Sequence, residues 1–277
     1  VLWRRHVGYD ASVFPQFVSK SPEADLLIVD NEHAELQRVD AESGKLRWRL
    51  PCSLPISAPR IVGNRAFICS GTEEASQLLV VDLESGNVFR SIRFPVGCQT
   101  QPGIVQDGRQ LAIPGAHSSI YILDTESLEC TAVIASGHQR GTIQTSPLWV
   151  GGMLFVAENT GNRTSKLQRY QPLEQTAWIR IDSAIELSGQ IISPPQVSDR
   201  RLLVNTELGQ IKIFEVPIDS TEVREVAGVE GPGEGIGVAQ AWFSGSQIWI
   251  GDRKLSRYQL QATRGELVSQ FVRDKRD

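Results

Sequence analysis

Val39-Asp40-Ala41-Glu42-Ser43-Gly44-Lys45-Leu46-Arg47-Trp48 reads as a strand that ends on an acid, a tight turn closed by glycine, and a second strand that carries a tryptophan. Asp and Ser side chains bond backbone groups a residue or two ahead, and so nucleate turns rather than continue a strand. Gly44 supplies the positive φ that such a turn uses. Around the turn the side chains alternate: Leu36, Arg38 and Asp40 on one face, Gln37 and Val39 on the other, then Leu46 and Trp48 beyond it. A period of two marks strands with one face buried. The phrase returns 42 residues on as Val81-Asp82-Leu83-Glu84-Ser85-Gly86-Asn87-Val88-Phe89, and 42 later still as Leu123-Asp124-Thr125-Glu126-Ser127-Leu128-Glu129. Repetition at a fixed period turns a lone hairpin into one unit of an array.

The period outlasts the phrase. The residue closing the third strand of each unit falls at Val39, Val81, Leu123, Tyr170, Phe214 and Tyr258, with steps of 42, 42, 47, 44 and 44. A proline-led marker precedes it in Ala58-Pro59-Arg60-Ile61-Val62, Gln101-Pro102-Gly103-Ile104-Val105, Ser146-Pro147-Leu148-Trp149-Val150 and Ser193-Pro194-Pro195-Gln196-Val197. Phe14-Pro15-Gln16-Phe17-Val18 opens the first unit, and Gln240-Ala241-Trp242-Phe243 opens the last without its proline. Between the two markers lies an apolar strand: 26–29, 66–69, 111–113, 154–156, 202–204 and 248–250. Four short strands per unit of this length describe a propeller blade. An all-β propeller with about six four-stranded blades is therefore expected, at residues 11–55, 56–98, 99–142, 143–190, 191–237 and 238–272, in one domain spanning 11–277. Without a sustained 3.6-residue apolar stripe, helices should be few. Val1-Leu2-Trp3-Arg4 matches Leu46-Arg47-Trp48-Arg49, so residues 1–10 read as the outer strand of a preceding blade. Two alternatives stand: a segment of a larger propeller of seven or eight blades, or a six-bladed ring with an extra edge strand.

Composition closes off several classes. The net charge of −4 argues against a nucleic-acid surface, which needs a basic stripe. No apolar run approaches the roughly 20 residues that span a bilayer, and no targeting signal is visible at the start. Cys52, Cys69, Cys98 and Cys130 have no CxxC spacing, so neither a zinc knuckle nor a redox pair is signalled.

The proline-led strand, the apolar strand, and a strand ending in Asp before Glu-Ser-Gly-Lys-Leu-Arg-Trp together resemble the pyrroloquinoline-quinone enzyme repeat. Asp40, Ser43, Gly44 and Trp48 match it best; Asp82, Ser85 and Gly86 match with Phe89 taken as standing where the tryptophan belongs; Asp124 and Ser127 match without the glycine. Thr263-Arg264-Gly265 is a remnant of the turn. The resemblance implies that Trp3 and Trp48 dock between blades. It implies either a quinone dehydrogenase holding the quinone over calcium, or a branch similar to the outer-membrane assembly lipoprotein and to sensor domains of kinases, which keeps the propeller without a cofactor. The chain has no adjacent cysteine pair and its acids sit mostly in turns, so the second branch is expected: a periplasmic or extracytoplasmic binding scaffold with no cofactor and a protein or peptide partner. A degenerate quinone dehydrogenase and a ligand-sensing domain are the alternatives.

Other constellations reduce to structure. Gly231-Pro232-Gly233-Glu234-Gly235-Ile236-Gly237 has isoleucine where a dinucleotide fingerprint needs its third glycine, and reads as a loop between blades. His117, His138, Cys98 and Cys130 suit no familiar metal spacing: the thiols are expected buried and the histidines on the surface. No serine is flagged by a neighbouring base. Asp40, Asp82 and Asp124 recur at the repeat period as turn-formers. Two polar connections exceed what a blade needs, 135–142 and 157–166. In a propeller, connections from second to third strand and from blade to blade emerge on one face, so His138, Arg140, Asn159, Asn162 and Arg163 are the candidate partner-binding residues, suited to an anionic or extended peptide partner.

Overall fold

A computed structural model of the chain describes residues 3–4, 15–19, 21, 24–161, 163–174, 176–217, 221–229, 240–245, 247–251, 255–262 and 269–273. The glycine-rich segment 231–237, the turn remnant 263–265, Asn162, and residues 1–2 and 5–10 of the first strand lie outside them. The fold is an all-β propeller fold of six antiparallel four-stranded sheets, each laid down in chain order. The first sheet is β1 (Gln16–Phe17), β2 (Leu26–Asp30), β3 (Glu35–Val39) and β4 (Leu46–Pro51); the second is β5 (Arg60–Val62), β6 (Arg65–Ser70), β7 (Gln77–Asp82) and β8 (Val88–Ile92). The third is β9 (Gly103–Val105), β10 (Gln110–Pro114), β11 (Ser119–Asp124) and β12 (Cys130–Ala135); the fourth is β13 (Leu148–Val150), β14 (Met153–Asn159), β15 (Thr164–Pro172) and β16 (Trp178–Ser188). The fifth is β17 (Gln196–Ser198), β18 (Arg201–Asn205), β19 (Ile211–Glu215) and β20 (Arg224–Val229); the sixth is β21 (Gln240–Ser244), β22 (Gln247–Gly251), β23 (Leu255–Ala262) and β24 (Ser269–Arg273). Among the described residues the helical element is a single 3-10 turn, Gln106–Gly108. The chain forms two compact units, Val1–Arg140 and Gly141–Asp277.

The second strand of each of the first five sheets is an apolar run because both of its faces are covered, whereas β22 alternates buried and half-buried residues. On β6, Ala66 and Ile68 pack with Leu27, Val29 and Leu36 of the first sheet, while Phe67 and Cys69 pack with Leu111, Ile113 and Leu123 of the third. Strand alternation sends successive side chains to opposite neighbours. β18 repeats this in the second unit: Leu202 and Val204 join Phe155 and Leu167, and Leu203 joins Ala241, Ile248 and Ile250. The six closing residues read from the sequence occupy one register position, opposite Leu26, Ala66, Leu111, Leu154, Leu202 and Ile248.

The turn phrase is a repeated set of hydrogen bonds. Asp40 Oδ1 accepts from Ser43 N and Oγ, both at 2.7 Å. Asp82 Oδ1 accepts from Ser85 N and Oγ, both at 2.8 Å. Asp124 Oδ1 accepts from Ser127 N at 2.7 Å and Oγ at 3.0 Å. The residue four on closes each turn with its N–H on the Asp carbonyl, and it is left-handed every time: Gly44 at φ 70°, Gly86 at 73° and Leu128 at 61°.

Just before each of these turns the third and fourth strands slip by one residue, between Arg38 and Val39, Val80 and Val81, and Ile122 and Leu123. The extra residues on the outer strands are Arg47, Phe89 and Thr131. The partner of Val80 is thus Arg90, as Trp48 is the partner of Arg38. This corrects the assignment of Phe89 to the tryptophan place: Phe89 is the bulged residue, 60% exposed, and Arg90 holds that place.

The tryptophans dock on the next turn. Trp3 Nε1 donates to Ala41 O and Trp48 Nε1 to Leu83 O, both at 2.8 Å. A Cβ at Gly44 would sit 2.6 Å from Trp3 Cδ2, and one at Gly86 would sit 2.6 Å from Trp48 Cδ2. With Arg90 in the tryptophan place, the third turn holds Leu128 instead, buried among Phe67, Leu111 and Leu123. The equivalent carbonyl, Thr125 O, accepts from Arg65 Nη1 at 3.0 Å, and the Arg65 guanidinium lies 4.6 Å from the Phe89 ring centroid.

Candidate functional site

The connections gather on one face of each sheet, and backbone bonds show it. A residue at or within two positions of the end of the second strand donates to the connection that leads into its own blade: Gly71 N to Ser53 O at 2.9 Å and Ala116 N to Gly97 O at 2.7 Å in the first unit. In the second unit Asn159 N donates to Thr142 O and Glu207 N to Gln190 O, both at 2.9 Å. The two polar connections singled out in the sequence therefore do touch, through Thr142 and Asn159.

Their side chains are less available than their polarity suggests. His138 is buried, 3% exposed; its Nδ1 lies 2.6 Å from Ser136 Oγ and its Nε2 3.1 Å from Gly115 O. An Nε2–H donating to that carbonyl leaves Nδ1 to accept from the serine. This overturns two expectations, a surface histidine and no serine beside a base. Ser136 is buried as well, so the pair ties the end of β12 to the β10–β11 connection. Asn159 is also buried: Ile191 N donates to its Oδ1 at 2.9 Å and its Nδ2 donates to Ile191 O at 3.3 Å, so it clamps the next connection. Glu158 is buried against Lys166 Nζ at 3.2 Å and Gln168 Nε2 at 3.4 Å. Arg140 and Arg163 keep exposed side chains, Arg140 in the first unit and Arg163 in the second. Arg140 pairs with Glu73 at 2.8 Å, an acid from the β6–β7 connection that the sequence did not nominate.

The turn carboxylates behave as structural groups. Bonds from the Ser43 side chain and N–H hold Asp40 below its ordinary value of 3.8, with Arg47 adding to the effect. The Ser85 and Ser127 N–H groups lead in doing the same to Asp82 and Asp124. A fourth lowered carboxyl, Asp30, was not legible in the sequence. Burial pushes it up, but His33 N and Nδ1, each 3.0 Å away, outweigh that, and Gln37 Nε2 adds a bond at 3.1 Å. Arg60 on β5 donates to Pro102 O at 2.9 Å and Gln101 Oε1 at 3.1 Å, and burial brings it down to about 10.

Of the thiols, Cys69 and Cys98 are fully buried and adjacent, the contact that spacing could not signal. Burial, with Cys98 beside it, pushes the Cys69 thiol well up. Cys130 is exposed, against the expectation of a buried thiol. Among the described residues no three His, Cys, Asp or Glu side chains converge as a metal site.

No family model matches the sequence, and no curated protein matches it. Solved structures do. BamB from Moraxella catarrhalis is 16% identical with a TM-score of 0.56, over 97% of this chain and 76% of its own. The Kuenenia stuttgartiensis hydrazine synthase is 13% identical with a TM-score of 0.58, over 86% of this chain and 74% of its own. The dihydro-heme d1 dehydrogenase NirN, solved in complex with DHE, is 15% identical with a TM-score of 0.60, over 92% of this chain and 54% of its own. These likenesses bear on fold, and they agree with the propeller of quinone-enzyme-type repeats that the turn phrase resembles.

Proposed function

We propose that this chain is a non-catalytic binding propeller, extracytoplasmic and without a resident quinone, that holds an extended segment of a partner protein. One observation carries this best. β8 is exposed at four of its five positions, pairs among the described residues only with β7, and presents Val88 and Phe89 at 42% and 60% exposure. An edge strand with open backbone groups and apolar side chains is a template for an added strand. The groups that could have served chemistry are consumed by the fold: three aspartates close turns, the His138–Ser136 pair is buried, and two thiols face each other. The likeness to BamB supports the same reading, and among the described residues no helix is long and apolar enough to cross a membrane. Arg140 and Arg163, each within its own unit, are proposed as exposed guanidinium groups suited to a carboxylate or a peptide backbone.

A photo-crosslinking residue placed at Phe89 in the producing cell tests it. One discrete protein adduct, absent when the probe sits at Glu84 in the adjoining turn, is the expected result. Purified protein given pyrroloquinoline quinone and calcium should show no stoichiometric change in absorption and no dye-linked oxidation of alcohols or sugars. Stoichiometric quinone binding, or no adduct above the Glu84 control, would overturn the assignment. Arg140→Glu should weaken the adduct while leaving the melting temperature unchanged.

A further inference from the structure

The register slip before the turn recurs in the fourth sheet in enlarged form. Leu167 pairs with Ile185 and Arg169 with Ile181, so Gln168 alone stands opposite Asp182, Ser183 and Ala184. The bulge opens a cleft of about 350 Å³ between β16 and the start of β20 with the residues before it, with Arg169, Ser183, Thr221 and Arg224 on its polar side. This lies at the small end of ligand pockets.

Its chemistry is unusual. Arg169 is 5% exposed. Its Nε donates to Ser183 O at 3.1 Å, Nη2 to Ser183 O at 2.5 Å and to Ser183 Oγ, and Nη1 to Thr221 O at 2.5 Å. Three bonds to carbonyls and one to a hydroxyl satisfy four of its N–H groups and do not cancel its charge. Among the described residues no carboxylate pairs with it, and burial alone lowers it from its ordinary value. A buried cation without a counter-ion is costly, and the natural complement is an anion. Ser183 Oγ accepts from Arg169, so its own proton is left to donate. Arg224 is exposed at the same cleft, and Arg169 and Arg224 against Glu222 leave an excess of one positive charge. Ile181, Ala184, Ile185 and Val223 supply an apolar wall.

We propose that this cleft is a carboxylate-binding subsite, which takes a carboxylate joined to a small branched aliphatic group, as in the C-terminal residue of a peptide. The remaining Arg169 N–H, the Ser183 hydroxyl and Arg224 meet the carboxylate, and the apolar wall takes the aliphatic group. The subsite is independent of the edge-strand partner proposed above, because it lies in the second unit and is tested with small probes.

N-acetyl-leucine and N-acetyl-leucine amide, titrated into the intact chain at neutral pH and followed by NMR, test it. The acid should bind, and the amide about tenfold more weakly or not at all, the fold-change of one lost charge-assisted hydrogen bond. Arg224→Gln should weaken the acid by a similar factor with an unchanged melting temperature, and Ala184→Leu, which adds no charge, should block it by filling the cleft. A longer peptide ending in leucine that binds as the free acid and not as the amide assigns the source to a chain terminus; binding of the capped amino acid alone assigns a free small carboxylate. Equal binding of acid and amide, no effect of Arg224→Gln, or binding of inorganic phosphate but not of N-acetyl-leucine would overturn the proposal.

Discussion

The turns at Asp82 and Asp124 make the same hydrogen bonds and hold the same left-handed residue, yet one places glycine there and the other leucine. The difference shows what the glycine is for. Leu128 sits at φ 61°, so the turn itself does not demand glycine. Gly86 is demanded by Trp48, whose ring occupies the space a Cβ would take. Where the preceding outer strand offers Arg90 instead, that space is filled from within the turn by Leu128. Tryptophan and glycine are thus one device split between two blades, and losing one half frees the other to change.

Removing the tryptophan should produce the largest effect. Trp48→Ala deletes the ring on Gly86 and the bond to Leu83 O, and is expected to cost about 3 kcal/mol in denaturant melts, at the low end for an aromatic truncation because the ring is only partly buried. A loss below about 1 kcal/mol would break the docking account, being far under any large-to-small core substitution of this kind. Gly86→Ala comes next, at about 2–4 kcal/mol from left-handed strain and overpacking together. The sharper measurement is its double-mutant cycle with Trp48→Ala, in which the penalty should shrink to the strain alone, about 1–2 kcal/mol. Equal penalties in both backgrounds would mean that the turn, not the ring, selects glycine. Leu128→Gly should cost only about 1–2 kcal/mol, since lost burial is partly offset by relief of the left-handed strain.

The smallest effect concerns pH. The folded values of Asp40, Asp82 and Asp124 lie below the ordinary 3.8. Each carboxylate's contribution is therefore complete above about that value and is lost as pH falls through the lower folded values. Asp124→Asn should flatten the acid limb of a melting-temperature profile while leaving the neutral plateau slightly lowered. An acid limb of undiminished steepness would place the titrating group elsewhere, with Asp30 the next candidate.

Much of this architecture was legible in the chain because period and alternation are backbone properties. Val39, Val81, Leu123, Tyr170, Phe214 and Tyr258 could be matched before their register was known, and even the meeting of two distant connections followed from strand order. What failed was the fate of individual polar side chains. Ser136, His138 and Asn159 look like solvated loop residues in sequence, but all three are buried, and His138 and Asn159 bond distant backbone groups that only the fold supplies. Phe89 was misplaced because a one-residue bulge changes which residue faces the next blade, and alternation does not reveal where a ladder slips. The Arg169 cleft was invisible for the same reason on a larger scale: its walls come from residues fourteen and more than fifty positions away.

The ladder of backbone bonds on the connection face has a consequence for how the chain acquires its structure. Each bond joins a residue to one already made fewer than twenty positions earlier, as Ala116 to Gly97 or Asn159 to Thr142. The tryptophans reach forward 38 and 35 residues, about one blade. Within each unit, then, a newly synthesised turn finds the tryptophan of the preceding blade already present, and the contacts a blade still lacks wait only for the next blade. Loop-closure entropy stays small at every step. Such a chain should fold vectorially, blade upon blade, with a rate set by local contact order rather than by total length.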